Sequence, residues 1–246
     1  MRRVESTSTN CGSAPARLWY KFAMRFLLVT LLLLVVIPAY GSIIMFTGEV
    51  SVLSSAPTSL FPPLESNSTI LGFAEQQGVL LGSNLPVAIT SPGVWLCCSG
   101  LPGGTIDAGN TVNSYLLYAS PSSDLNGTYT SFTGSITFSP GERIVGIIVD
   151  YAHLNNTDGL LGAPGTTYPP LSDTTAGLEK GDKIIIGSGD ESVYVNLHII
   201  AGNIDMIRIL TTTTPEPGDF VLLGSGLIAL ALCRKRLRFR RAGRQA

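Results

Sequence analysis

Phe132-Thr133-Gly134-Ser135-Ile136-Thr137-Phe138, then Pro140-Gly141, then Ile144-Val145-Gly146-Ile147-Ile148-Val149, is the stretch that decides the fold class. Phe132, Gly134, Ile136 and Phe138 alternate with Thr133, Ser135 and Thr137, the period of a strand with one buried and one wet face. Pro140-Gly141 ends it in a turn. The run from Ile144 to Val149 is apolar throughout and short, as expected of a strand buried on both faces.

Working outward, Val193, Val195, Leu197 and Ile199 alternate with Tyr194, Asn196 and His198. Lys183 to Ile186 leads into Gly187-Ser188-Gly189-Asp190-Glu191, a turn that folds it back on the strand from Ser192 as a hairpin. Met206 to Leu210 predicts the last strand and Thr111 to Tyr118 another. Ser42 to Leu53 reads as an entering strand, Pro57 to Pro63 as a bend, and Gly72 to Leu80 as the start of a further pair. The loop from Asn155 to Leu178 is the place for a short helix. About eight strands spaced by turn signals predict an all-β chain, with one β-sandwich domain of jelly-roll or lectin-like type over residues 42–210.

Upstream, residues 1–23 are polar and without period, and Met24 is an alternative start. Arg17, Lys21 and Arg25 flank the apolar run Phe26 to Ile37, and small residues at Ala39 and Gly41 precede Ser42. That order predicts a secretory signal peptide within residues 1–41, cleaved between Gly41 and Ser42. An uncleaved N-terminal anchor is the competing expectation, and the shortness of the run argues against it.

Downstream, Thr211 to Thr214 is expected to be a polar spacer that holds Pro215-Glu216-Pro217 clear of the domain. The two prolines keep that tripeptide extended. Phe220 to Cys233 is apolar and uncharged, and seven of the chain's 16 Lys and Arg lie between Arg234 and Arg244. Arg234, Lys235 and Arg236 stand where a cytoplasmic stop-transfer signal belongs. A transmembrane helix is therefore expected over 219–233, with a basic tail at 234–244. As a helix the apolar run covers about 21 Å of a hydrocarbon core of roughly 30 Å, which suits a transient anchor better than a permanent one.

Pro215-Glu216-Pro217, the Gly-containing apolar segment and the Arg-rich end, in that order over 215–241, resemble the PEP-CTERM sorting signal of Gram-negative bacteria. The same tail is also described as an ice-binding protein C-terminal domain. Here Gly218-Asp219 follows the motif in place of the usual small hydroxyl residues, and the basic end is longer than usual. The resemblance implies recognition by an exosortase, a transpeptidase-like membrane enzyme. It further implies loss of the tail and delivery to the cell surface or the exopolysaccharide matrix of a biofilm. A second resemblance covers most of the middle region, through Phe73 to Val79, Thr111 to Tyr115, Gly134 to Phe138, Val145 to Ile148, Leu160 to Pro169, Gly177 to Glu179 and Asp205 to Ile209. These segments are similar to a recurring exported domain found upstream of PEP-CTERM tails. That resemblance implies a compact extracellular β domain and carries no activity with it.

Between Ser42 and Thr214, fourteen Asp and Glu stand against Arg143, Lys180, Lys183 and Arg208, leaving a net charge of −10. Such a domain repels nucleic acid and anionic polymers. Ca²⁺ would bind only where carboxylates converge, and no cofactor is otherwise expected. His153 and His198 belong to no catalytic spacing, and His198 is expected to face solvent. Cys97 and Cys98 are adjacent, which suits neither a zinc set nor an ordinary disulfide, so free thiols or a vicinal disulfide are both open.

The expected function is a non-catalytic surface or matrix protein. The alternatives each require a distinct arrangement. A carbohydrate-binding module needs a concave sheet face bearing aromatics such as Tyr115, Tyr118, Tyr129 or Tyr194. An exported hydrolase needs buried carboxylates clustered in a cleft, and ice binding needs a flat, regular Thr array. Tyr168, flanked by Pro169 and Pro170, is expected to pack rather than to stand exposed.

Overall fold

A computed structural model describes residues 42–96, 101–125, 127–169, 178 and 181–213. In chain order the strands are β1 (Ile43–Gly48), β2 (Val50–Val52), β3 (Ile70–Ala74), β4 (Val79–Leu80), β5 (Leu85–Val87), β6 (Gly93–Leu96) and β7 (Gly104–Ile106). They continue with β8 (Thr111–Ala119), β9 (Tyr129–Phe138), β10 (Glu142–Ile148), β11 (Lys183–Ile186), β12 (Ser192–Ile200) and β13 (Asp205–Thr213). Helix α1 (Tyr151–Leu161) follows β10. The described part is thus mostly β, as expected. Among the described residues, no helix is long and apolar enough to cross a membrane.

Two sheets carry the architecture. The first runs β1-β9-β12-β11-β6 and is antiparallel throughout. The second runs β10-β13-β8-β3-β2, with β4 also on β8 and only the β2–β3 pair parallel. A small antiparallel pair, β5 with β7, forms a separate ladder and is tied to β10 by a bridge between Ile89 and Ile147. Alternation does what the sequence predicted for β9 and β12. Phe132, Ile136, Phe138, Val193, Val195, Leu197 and Ile199 turn inward and meet Tyr115, Leu117, Ile207 and Ile209 of the second sheet. Each such side chain, fully buried, contributes roughly 1.5–3 kcal/mol of transfer free energy. The turn at Gly187 to Glu191 closes the β11–β12 hairpin, with Asp190 at φ 58°.

The second sheet differs from a sandwich sheet with one wet face, because both of its faces are covered. Leu116, Tyr118, Met206 and Leu210 point away from the first sheet and pack with Leu60, with Leu154 and Leu161 of α1, and with Leu85, Val87 and Ile106 of the β5–β7 pair. Three layers result: sheet, sheet, and a cover of helix and short strands. The helix starts earlier than the loop in which it was expected, because the Asp150 side chain accepts the His153 backbone N–H at 3.0 Å and caps its first turn.

Two further expectations are corrected. Thirteen strands occur among the described residues instead of about eight. The extra ones, such as β4, β5 and β7, are two or three residues long, too short to show a period. Thr211 is no part of a spacer. It is fully buried in β13, and Thr211, Thr212 and Thr213 pair with Ile144, Arg143 and Glu142 of β10. A threonine run is polar enough to read as a linker, but its β-branched side chains suit a strand equally well.

Candidate functional site

The densest polar chemistry lies on the covered face of the second sheet. Arg208 occupies a position of β13 between Met206 and Leu210, which face the same apolar layer, and it has no solvent exposure. Its Nε donates to Glu75 Oε2 at 2.7 Å and its Nη2 to Glu75 Oε1 at 2.8 Å. Nη2 also reaches Asp158 Oδ1 at 2.7 Å, while Nη1 donates to Leu154 O at 2.9 Å and Thr157 Oγ1 at 2.6 Å. All five guanidinium donors are therefore used. Glu75 accepts in addition from Ser114 Oγ and from the Tyr168 hydroxyl, each at 2.6 Å. Tyr168 in turn accepts the Ala163 N–H at 2.7 Å, and its ring lies under the guanidinium, 5.6 Å from Cζ to the ring centre. Tyr168 is packed, as expected.

Burial alone would favour a neutral Arg208, but the hydrogen bonds and charges of Glu75 and then Asp158 hold it protonated, above its usual range. Burial also leaves the Asp158 carboxyl above the ordinary range despite its bond to Arg208. Tyr168 is pushed up first by burial and then by the Glu75 charge. Two carboxylates do converge here, as a hydrolase would need, Glu75 buried and Asp158 half-buried on α1. Both are engaged by one guanidinium, which makes this a clamp between cover and sheet.

A second polar cluster lies on the opposite face of the same sheet. Glu142 is 1% exposed, and its Oε1 accepts from Tyr115 OH at 2.8 Å, from Asn113 Nδ2 at 3.1 Å and from Thr211 Oγ1. Burial, followed by the Glu142 charge, raises the Tyr115 phenol. Tyr118, on the other face of β8, is raised by burial. Neither tyrosine is available to a ligand, since both are buried.

The open surface is the outer face of the first sheet. Tyr194, Asn196 and His198 of β12 stand opposite Ser135, Thr133 and Ser131 of β9, with Tyr129 further along beside Ile200. Tyr194 and Tyr129 are 36% and 66% exposed. The outward row of β9 alternates Ser131, Thr133, Ser135 and Thr137 beside Tyr194 and His198, so it is not the regular Thr array that ice binding requires. His198 is on this outward face but only half open to solvent. Its backbone N–H donates to Asp182 Oδ1 at 2.6 Å, and its ring Nδ1 is closed off from solvent with no hydrogen-bond partner. Asn196 Oδ1 is in the same condition.

His153 pairs with the cap residue, Nδ1 to Asp150 Oδ1 at 2.6 Å, and serves the start of α1. A cleft of about 220 Å³ beside β7 and β8 is lined by Thr90, Thr105, Asp107, Asn110 and Thr212 among others, with Asp107 the one carboxylate in its lining. Among the described residues, no group of three or more His, Cys, Asp and Glu is placed to hold a metal ion. Of the residues singled out in the sequence for sorting, Ser42 alone is described. Its carbonyl accepts the Ser139 N–H at 2.9 Å. Ala39, Gly41, Pro215, Glu216, Pro217, Arg234, Lys235 and Arg236, and also Cys97 and Cys98, lie outside the described residues. Arg208, Glu75, Asn196 and His198 were not foreseen as partners. The one available signal was a lone Arg in an otherwise apolar strand. No protein-family model matches the chain, and neither a curated protein nor a solved structure is significantly similar to it.

Proposed function

We propose that this chain is an exported, non-catalytic surface or matrix protein, whose domain is carried outward by a signal at each end. The first is a signal peptide cleaved after Gly41. The second is a PEP-CTERM tail, held in the inner membrane by residues 219–233 with Arg234, Lys235 and Arg236 on the cytoplasmic side, and read by an exosortase at Pro215-Glu216-Pro217. The domain itself belongs to the jelly-roll or lectin-like sandwiches. Its sheet neighbours come from distant parts of the chain, β1 beside β9 and β8 beside β13, as the crossing connections of such folds require.

The observation that carries this proposal is the order of the chain: the paired strands from β1 to β13 lie between the apolar run Phe26 to Ile37 and Pro215-Glu216-Pro217 with its apolar and basic tail. Cleavage after Gly41 and at Pro215-Glu216-Pro217 would remove both signals and keep every described strand. Charge supports it as well. Four basic residues stand against fourteen acidic ones between Ser42 and Thr214, and one of the four, Arg208, is buried.

Intact-mass analysis of the protein recovered from the native cell surface tests the proposal. A mass that starts at Ser42 and lacks everything beyond the Pro-Glu-Pro region is expected. An intact C-terminus retained in the inner membrane would overturn sorting in favour of a permanent anchor.

A further inference from the structure

The outer face of the first sheet combines an aromatic at each end with a hydroxyl and amide floor between. Tyr194, Asn196, His198 and Ile200 of β12 pair in register with Ser135, Thr133, Ser131 and Tyr129 of β9. Six residue steps separate the level of Tyr194 from that of Tyr129, roughly 20 Å at the strand rise. In the middle of this strip lie Asn196 Oδ1 and His198 Nδ1, both shut off from water and without partners. A buried polar atom left unmatched costs on the order of 1–3 kcal/mol, and surfaces do not ordinarily retain two side by side without a reason. The terminal torsions of Asn and His are broad, so either group turns outward with little hindrance once a partner is offered.

We infer that this strip is a binding site for a neutral, hydroxyl-rich oligosaccharide, with Tyr194 and Tyr129 as stacking platforms and Asn196 and His198 as the polar contacts. A hydroxyl both donates and accepts, so it satisfies the amide oxygen and either tautomer of the ring nitrogen. Sugar rings present an apolar C–H face, which the exposed tyrosines match as amphipathic surfaces. Neutrality follows from charge, since a domain carrying −10 between Ser42 and Thr214 repels polyanions. The inference rests on the export proposal only for where the ligand would be met.

The full chain, held in a detergent that contains no sugar, is titrated by calorimetry with cellohexaose, maltohexaose and mannohexaose, and with hexagalacturonate as the anionic control. Binding of at least one neutral hexasaccharide in preference to hexagalacturonate is expected. Tyr194→Ala should weaken it by roughly tenfold, the scale of one lost aromatic contact. Asn196→Leu, which removes the amide, should weaken it similarly, whereas Phe46→Ser on the edge strand should leave it unchanged. Absence of heat with all three neutral sugars overturns the inference, as does binding that survives both Tyr194→Ala and Asn196→Leu. Unaltered thermal melting of the variants confirms that they fold. The processed ends of the native protein are measured separately, so failure of sorting and failure of binding are distinguishable.

Discussion

Arg208 and Glu75 lie 133 positions apart in the chain and face each other through two hydrogen bonds, Nε to Oε2 at 2.7 Å and Nη2 to Oε1 at 2.8 Å, with neither side chain open to solvent. The fork-to-fork geometry is the strong form of this pair, and Asp158 and Tyr168 complete it on the side of the cover. The clamp joins β13 to the end of β3 and to α1, so it fixes the cover to the second sheet.

Removing one partner of a buried pair leaves the other charge uncompensated, so Arg208→Met should cost about 3–5 kcal/mol in urea unfolding. Arg208→Lys should also be destabilising, since an ammonium cannot present the planar fork. The double replacement Arg208→Met with Glu75→Leu should cost less than the sum of the two single changes, because the second removes the charge exposed by the first.

Thr211 distinguishes strand from spacer. Its hydroxyl donates to the buried Glu142 carboxylate, a bond to a charged group worth about 1.5–3 kcal/mol. Thr211→Val keeps the shape and loses the donor, so the unfolding free energy should fall by that amount and the urea midpoint should drop with it. An unchanged midpoint would restore the spacer.

Gly134 marks where β1 and β2 press on β9. A Cβ there would lie 2.6 Å from both Thr47 O and Val50 Cγ2, and Gly48, at φ 69°, makes the turn that carries the chain from one sheet to the other. Gly134→Ala should therefore push β1 away from β9 at a cost of about 1–3 kcal/mol. Faster chymotryptic cleavage at Phe46, monitored by mass spectrometry, is the expected sign.

Alkaline titration should be cooperative for three tyrosines. Burial raises Tyr115, Tyr118 and Tyr168, with Glu142 and Glu75 adding to the first and third. A folded-state pKa above the unfolded value of 10.0 contributes stability that is complete below pH 10 and is lost as pH rises toward the folded pKa. Tyrosinate absorbance from these residues should hence appear together with the loss of far-ultraviolet circular dichroism, above pH 10. Tyr115→Phe and Tyr168→Phe should each reduce its amplitude.

Period-2 patterning was enough to place β9 and β12 and their inward faces, because alternating burial is imprinted residue by residue in Phe132 to Phe138 and Val193 to Ile199. The β11–β12 turn was equally readable, since Gly187 to Glu191 supplies the residues that a tight reversal needs. β5 and β7 escaped notice because strands of three residues have no period, and α1 was displaced because its start depends on one cap, Asp150, in a helix otherwise poor in apolar repeat. The outer strip was visible as Tyr194-x-Asn196-x-His198. Its facing row was not, because pairing with Ser135, Thr133 and Ser131 is a matter of register across sixty-odd residues.

By itself, the sequence determined the all-β class, the inward faces of the long strands and the acidity of the middle region, because those depend on composition and local period. Only the tertiary structure decided that the second sheet is covered on both faces, that Thr211, Thr212 and Thr213 are strand, and that Arg208, Glu75 and Asp158 meet. Those outcomes depend on which strands lie side by side, and a buried charge finds its partners through contacts that no local pattern encodes.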